Sequence, residues 1–266
     1  MSSTAAGGYL RNRVAGRTAL VSGAGNGLGR AITLALAEAG ARVLLVGRTP
    51  QRLTAVLTEV TANGGDGRSA VCDVADPEAV AQLRDEIRDE SVSILVNNAG
   101  VAGPVAPLTE VEPEDWDAVF ASNVRGVYLM CRAFIPPMTA RGSGDVINIA
   151  SVSGKRPLTR RTPYVASKMA VIGLTATLAH EVGPLGVNVN SLSPGPVRGP
   201  RMERNFELEA ERAGITVDEA VDNFVSRSAL KRMVEEDEVA AAVIAMLHMP
   251  GLCAADIDLS AGMVAR

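Results

Sequence analysis

The sequence predicts an α/β protein, a Rossmann-type, doubly wound parallel sheet of seven strands with helices on both faces, in a single domain. Three observations predict it. Short β-branched or apolar runs alternate with longer segments of helical period from Thr18 to the C-terminus. A glycine run joins the first strand to the first helix. Hydrophobic residues make up 47% of the 266 and aromatic ones only 3%, so the core must be built from Ala, Val, Leu and Ile, which suits helices packed on a parallel sheet.

The strands are read at Thr18–Ser22, Arg42–Gly47, Ser69–Cys72, Ser93–Val96, Asp145–Ile149, Val187–Leu192 and Asp256–Leu259. Helices fall between them at Gly29–Ala39, Gln51–Thr61, Pro77–Asp89, Glu114–Phe134, Pro163–Val182 and Glu235–His248. Pro77 and Pro113 stand where a first helical turn tolerates proline, and Gly40 and Gly183 follow helices as caps would. Repeated βαβ units with right-handed crossovers give the doubly wound sheet.

Two segments depart from this rhythm. Residues 1–16, rich in Ser, Ala, Gly and Arg, read as a loose arm ahead of a catalytic domain spanning 17–266. Residues 194–232 form a connection far longer than the usual roughly 2 to 6 residues. Helical patches at Met202–Ala213 and Val217–Ser228 make it a folded flap over the substrate.

A net charge of -4 gives no electrostatic reason to expect nucleic acid or an anionic membrane as partner. Three dispersed cysteines, Cys72, Cys131 and Cys253, point away from a disulfide framework or zinc knuckle and towards a reducing cytoplasm. No apolar run reaches the ~20 residues of a spanning helix. No metal site is expected, since His180 and His248 stand without further ligands at metal spacing.

The glycine loop Ser22-Gly23-Ala24-Gly25-Asn26-Gly27-Leu28-Gly29 lets the backbone turn tightly and present N–H groups to a pyrophosphate at a helix N-terminus. Its spacing differs from G-x-G-x-x-G. The second strand ends Val46-Gly47-Arg48-Thr49, without the acid that would bind a ribose 2′-hydroxyl, and Arg48 is placed to hold a 2′-phosphate. NADP(H) is therefore the expected cofactor, with NAD(H) as the alternative.

Tyr164 and Lys168 stand at i and i+4 near a helix start, so both project from one face. A phenol that titrates near pH 10 needs a nearby cation to exchange protons at neutral pH, and Lys168 supplies one. Ser151 ends a strand 13 residues upstream, at the carboxyl edge where ligands of open α/β sheets bind.

The motifs stand in the order glycine loop, Asp73-Val74, Asn97-Asn98-Ala99-Gly100, Asn123, Ser151, Tyr164 with Lys168, and Pro194-Gly195, and with them the chain resembles the short-chain dehydrogenases/reductases, in the subgroup of about this length. The resemblance implies an NAD(P)-dependent oxidoreductase acting on an alcohol/carbonyl pair, assembled as a homotetramer. It further implies that Asp73 and Val74 contact adenine, and that Asn98, Ala99 and Gly100 flank the cofactor. Backbone from Pro194 and Gly195 to Val197 would hold the carboxamide. Ser151 would hydrogen-bond the substrate oxygen, Tyr164 exchange its proton, Lys168 bind the nicotinamide ribose, and Asn123 anchor a relay water. Many members with this resemblance are 3-oxoacyl-carrier-protein reductases. The chain departs from the family at Pro196-Val197-Arg198-Gly199-Pro200, where a threonine is usual, and at Leu259-Ser260-Ala261-Gly262.

Cations crowd the expected substrate side: Lys155, Arg156, Arg160 and Arg161 lie between Ser151 and Tyr164, and Arg198, Arg201 and Arg204 open the flap. An anionic substrate is one reading and solvated or paired charge the other. A sugar or small alcohol as substrate, and a nucleotide-binding regulator without turnover, are the rival functions.

Overall fold

The computed structural model describes residues 12–264. Its seven strands are β1 (Thr18–Ser22), β2 (Arg42–Gly47), β3 (Asp66–Val71), β4 (Val92–Asn97), β5 (Gly144–Ile149), β6 (Val187–Pro194) and β7 (Asp256–Leu259). They form one sheet in the order β3-β2-β1-β4-β5-β6-β7, and every pairing is parallel. The helices are α1 (Gly27–Glu38), α2 (Pro50–Ala62), α3 (Pro77–Glu86), α4 (Pro113–Phe120), α5 (Gly126–Arg141), α6 (Thr162–Val182), α7 (Pro200–Ala213), α8 (Val217–Val225) and α9 (Glu236–Leu247).

Because side chains alternate along a strand, the central strands β1, β2, β4, β5 and β6 each feed two cores. Leu20, Leu44 and Leu95 point into one, with Val127, Met130 and Phe134 of α5 and Val171 of α6. Val21, Val43 and Ile94 point into the other, with Ile32 and Leu36 of α1 and Val243 of α9. Strand order reverses between β1 and β4, opening a crevice at the carboxyl ends of the strands, where ligands of such sheets bind.

Some boundaries move. Strand β3 starts at Asp66 instead of Ser69, because its Gly-containing start pairs in register with Arg42–Leu44. The expected helix Glu114–Phe134 is broken into α4 and α5 by a π turn over Ala121–Arg125, and α5 then continues through Pro136 and Pro137 to Arg141. Both prolines face solvent, while Met138 just beyond is fully buried and holds the last turn down. Of the expected loose arm, residues 12–16 are docked instead: Val14 is fully buried, Asn12 Nδ2 donates to Ala39 O at 2.8 Å and Gly16 N to Gly40 O at 2.9 Å. Residues 1–11 lie outside the described residues.

The long connection is helical, as expected. Thr216 and Glu219 form a reciprocal capping box at the start of α8. Phe206 of α7 meets Phe224 of α8 edge-on at 5.5 Å, and Ala210, Ala220, Val225 and Met233 complete a small core of their own.

Candidate active site

Strand β1 delivers the chain to the glycine loop, where Gly23 and Gly27 adopt φ of +68° and +52°, conformations that favour glycine. A Cβ on Gly29 would stand 2.0 Å from Gly23 O, so only glycine lets the loop close against α1. Asn26, at the N-cap, makes no side-chain cap bond, so the first N–H groups of α1 are not capped by it. The loop is braced from β4: Ser22 Oγ accepts from Asn98 N at 3.0 Å and Ala99 N at 3.1 Å, while Asn98 Nδ2 donates to Ser22 O and Gly23 O. The Asn98 side chain is thereby committed to holding the loop.

A cleft of about 620 Å³ runs along this edge, and Asn26, Gly27, Leu28, Arg48, Asp73 and Val74 line one half of it. Arg48 is 68% exposed and its only ion-pair partner among the described residues is Asp73, at 3.9 Å. Asp73 accepts from Ala75 N at 3.0 Å, which fixes the carboxylate at the cleft wall. Arg52, four residues after Arg48 on the first turn of α2, lines the same end and is missed by the sequence reading, which looks for the phosphate partner only at the end of the second strand. Glu236 was also missed. It starts α9, far away in sequence, yet its Oε1 would be 3.5 Å from a Cβ on Gly27 and 3.2 Å from one on Gly199. Burial raises its carboxyl above the ordinary 4.5 against the pull of Arg30, and Asp237 and Glu235 add to the rise.

The other half of the cleft is lined by Ala99, Gly100, Ser151, Tyr164, Lys168, Pro194, Gly195 and Val197, of which Val197 pairs as a bridge with Val234. Lys168, 6% exposed, donates to Ile149 O at 2.8 Å and its Nζ lies 5.8 Å from the Tyr164 ring centre. Ser151 is 7% exposed and its Oγ accepts from Ser153 N at 3.1 Å. Asn123 sits in the π turn, a feature frequent at functional sites. Its side chain does not line the cleft. Its Oδ1 accepts from Val101 N at 2.7 Å and its Nδ2 donates to Val101 O at 2.9 Å and Ser167 Oγ at 3.0 Å. Ser167 Oγ in turn donates to Tyr164 O at 2.7 Å. Asn123 thus connects the segment after β4 to the Tyr164 turn, with both amide protons committed and one Oδ1 lone pair left to accept from a further donor.

A second cleft of about 740 Å³ lies under α7 and α8, and Ser151, Tyr164, Gly195 and Val197 line both clefts. Its walls are Leu158, Met202, Phe206 and Phe224 with Arg156, Arg160, Arg161, Arg212 and Arg227 around them. The cations read from the sequence divide here. Lys155 is 4% exposed and bound to Asp256 and Asp258, so it is not available to substrate. Arg198 pairs with Glu235 at 3.0 Å, Arg204 does not line the cleft, and the Arg201 side chain lies outside the described residues. Arg156, Arg160 and Arg161 remain, with Arg161 donating to Asn205 Oδ1 at 2.7 Å.

Cys131 is buried and its thiol is pushed up to about 12 by burial, in keeping with a core residue. Among the described residues no helix is long and apolar enough to cross a membrane.

The short chain dehydrogenase family model matches residues 17–211. A protein of Streptomyces violaceoruber named as a ketoacyl reductase of the granaticin polyketide synthase is 40% identical over 232 residues, covering 85% of this chain and 84% of that one. Among solved structures, a variant of actinorhodin polyketide ketoreductase with NADPH is 31% identical with TM-score 0.88, covering 94% of this chain and 98% of its own. An NAD⁺-bound xylitol dehydrogenase is 29% identical with the same TM-score, 0.88, covering 94% and 99%. With the family model matched from β1 through β6 and a relative aligned over most of its own length, this chain belongs to the short chain dehydrogenase family.

Proposed function

We propose that this NAD(P)-dependent oxidoreductase reduces a ketone to a secondary alcohol with NADPH, Tyr164 giving the proton. The observation that carries the reading is that Ser151 and Tyr164 stand on the shared rim of the two clefts, between a dinucleotide-shaped crevice and a pocket under the flap. The crevice residues fit a dinucleotide, because the close Gly23–Gly29 contact folds the loop tightly onto the start of α1, whose first N–H groups Asn26 does not cap and a pyrophosphate would accept from. When bound, the nicotinamide would supply the hydride. Ser151 Oγ would donate to the substrate carbonyl oxygen, stabilising the negative charge that grows there. Tyr164 Oη–H would give its proton to that oxygen, leaving a phenolate that the Lys168 ammonium favours. Lys168 would also hold the nicotinamide ribose. Gly195 and Val197, at the end of β6, would hold the carboxamide through their backbone.

Arg48 and Arg52 at the adenosine end, facing no acid at the end of β2, support NADPH over NADH. The actinorhodin relative with NADPH supports it too, whereas the NAD⁺-bound xylitol dehydrogenase illustrates the alternative of an NAD-linked sugar or alcohol dehydrogenase. Arg156, Arg160 and Arg161 on the pocket wall favour a second, narrower reading, in which the ketone carries an anionic group, as 3-oxoacyl substrates do. A homotetramer in the cytoplasm is proposed with this function. Its support is the family and the exposed Tyr128 and Met169 on α5 and α6.

The test is NADPH oxidation against a panel of neutral and anionic ketones, for the native chain and Tyr164→Phe. Turnover abolished by Tyr164→Phe with nucleotide binding intact supports the reading. Nucleotide binding without turnover on any ketone or alcohol would make the protein a binding regulator. Anion recognition requires that Arg156→Ala and Arg161→Ala raise KM for anionic ketones alone.

A further inference from the structure

The 3-10 turn Val152–Gly154 leads from Ser151 into a lysine with unusual surroundings for a loop residue. The Lys155 side chain is 4% exposed, and its Nζ donates to Asp256 Oδ2 at 2.6 Å and to Asp258 Oδ1, both on β7. Asp256 reaches further. Its Oδ1 accepts from Ser191 Oγ at 2.8 Å and Ser193 Oγ at 2.7 Å, two fully buried hydroxyls of β6. Strand β6 runs on to Pro194, and Gly195 N donates to Leu259 O of β7 at 2.8 Å. One ammonium and two carboxylates therefore join the turn carrying Ser151 to the strand end carrying Pro194–Val197.

The turn is fixed on its opposite side as well, where a Cβ on Gly154 would lie 3.0 Å from the backbone of both Lys168 and Met169 on α6. That contact is steric and resists compression only. Lys155 provides the polar, directional restraint from the β7 side. The Lys155 ammonium is nearly inaccessible while its two carboxylates are 15% and 23% exposed, so shifting the turn would leave a buried cation without its partners.

We infer that Lys155, through Asp256 and Asp258, is a positioning residue that fixes the distance between the substrate-side turn at Ser151 and the cofactor-side backbone at Gly195–Val197. This deepens the proposed function and rests on it for the identity of the two sides, while the mechanical coupling itself does not depend on catalysis.

The experiment compares the native chain with Lys155→Met, Asp258→Asn and Ser193→Ala. Asp258→Asn retains the Lys155–Asp256 pair and Ser193→Ala removes a single hydroxyl, so both keep the test decisive should Lys155→Met not fold. Amide hydrogen exchange on the nucleotide-free protein should rise together at residues 151–157 and 194–198 in Lys155→Met and Asp258→Asn, by tenfold or more, and not at β1 to β3. In steady state with NADPH and the best ketone, kcat should fall at least tenfold with little change in KM. The deuterium isotope effect from 4-deuterated NADPH should rise, because hydride transfer becomes slower than product release. A merely structural role lowers the active fraction and leaves the isotope effect unchanged. Exchange that rises at β7 alone, or at one turn without the other, overturns the coupling. Coupled exchange with unchanged kcat and isotope effect overturns the positioning role. Absence of turnover in the native chain sinks the proposed function instead, and with it the catalytic identity of the two sides, while the exchange result still decides whether they are coupled.

Discussion

Arg48→Ala should weaken NADPH binding about tenfold and leave NADH binding unchanged. The guanidinium is 68% exposed and held only by an ion pair at 3.9 Å to Asp73, itself 46% exposed. An exposed pair of that kind contributes roughly 0 to 1 kcal/mol, so little is lost in turning Arg48 from Asp73 towards a ligand. A hydrogen bond to a charged group contributes about 1.5 to 3 kcal/mol, and exposure places Arg48 at the low end. The net is about 1.4 kcal/mol, which is one decade in affinity. Arg52 lines the same end, so Arg48→Ala with Arg52→Ala should lose about a further decade. Titration calorimetry with NADPH and NADH, at about 50 and 300 mM salt, measures both, and the NADPH advantage should shrink at high salt because exposed charge is screened. Equal losses for both nucleotides, or an intact preference in the double variant, would refute the assignment of these arginines to a 2′-phosphate.

Glu236 should oppose the nucleotide. Its carboxyl titrates above the ordinary value, so the folded state favours the protonated form and the stability this contributes is complete below about pH 4.5 and lost as pH rises through the raised value. Glu236→Gln should therefore tighten NADPH and raise Tm at pH 7, with both effects fading towards pH 4.5. An affinity unchanged at pH 7 would separate Glu236 from the phosphate site. Gly29→Ala must push a Cβ that would lie 2.0 Å from Gly23 O. Overpacking of this kind costs about 1 to 3 kcal/mol, so Tm should fall and both nucleotides should weaken at least tenfold, as read by thermal shift and titration. Tyr164→Phe should reduce kcat at least a hundredfold while the NADPH Kd stays within about twofold, a split that general acid catalysis requires and that single-turnover kinetics would check.

Much of this is legible in the sequence alone. The period of apolar residues located the central strands, because parallel strands buried on both faces are nearly uniformly apolar, and it separated them from the helices that cover them. The glycine loop was legible because φ near +60° and a backbone contact at Gly29 leave few other residues to choose from. Tyr164 and Lys168 were visible because they share one helix and a local spacing. The expected helix ends at Phe134, and only the packing of Met138 into the core shows why α5 continues through Pro136 and Pro137 to Arg141.

What the sequence could not decide was the partner of each charge. Lys155 stands among arginines in the chain and reads as one more cation for a substrate, yet parallel pairing of β6 with β7 brings Asp256 and Asp258 to it from a hundred residues away. Glu236 meets the glycine loop through packing of α9 on α1, and the Asn123 side chain turns from the cleft to Val101. Local spacing fixes which groups share a helix face or a turn, because chain geometry alone sets those distances. Which groups end up neutralised, buried or open to a ligand depends on contacts between segments distant in sequence, and only the folded sheet supplies them.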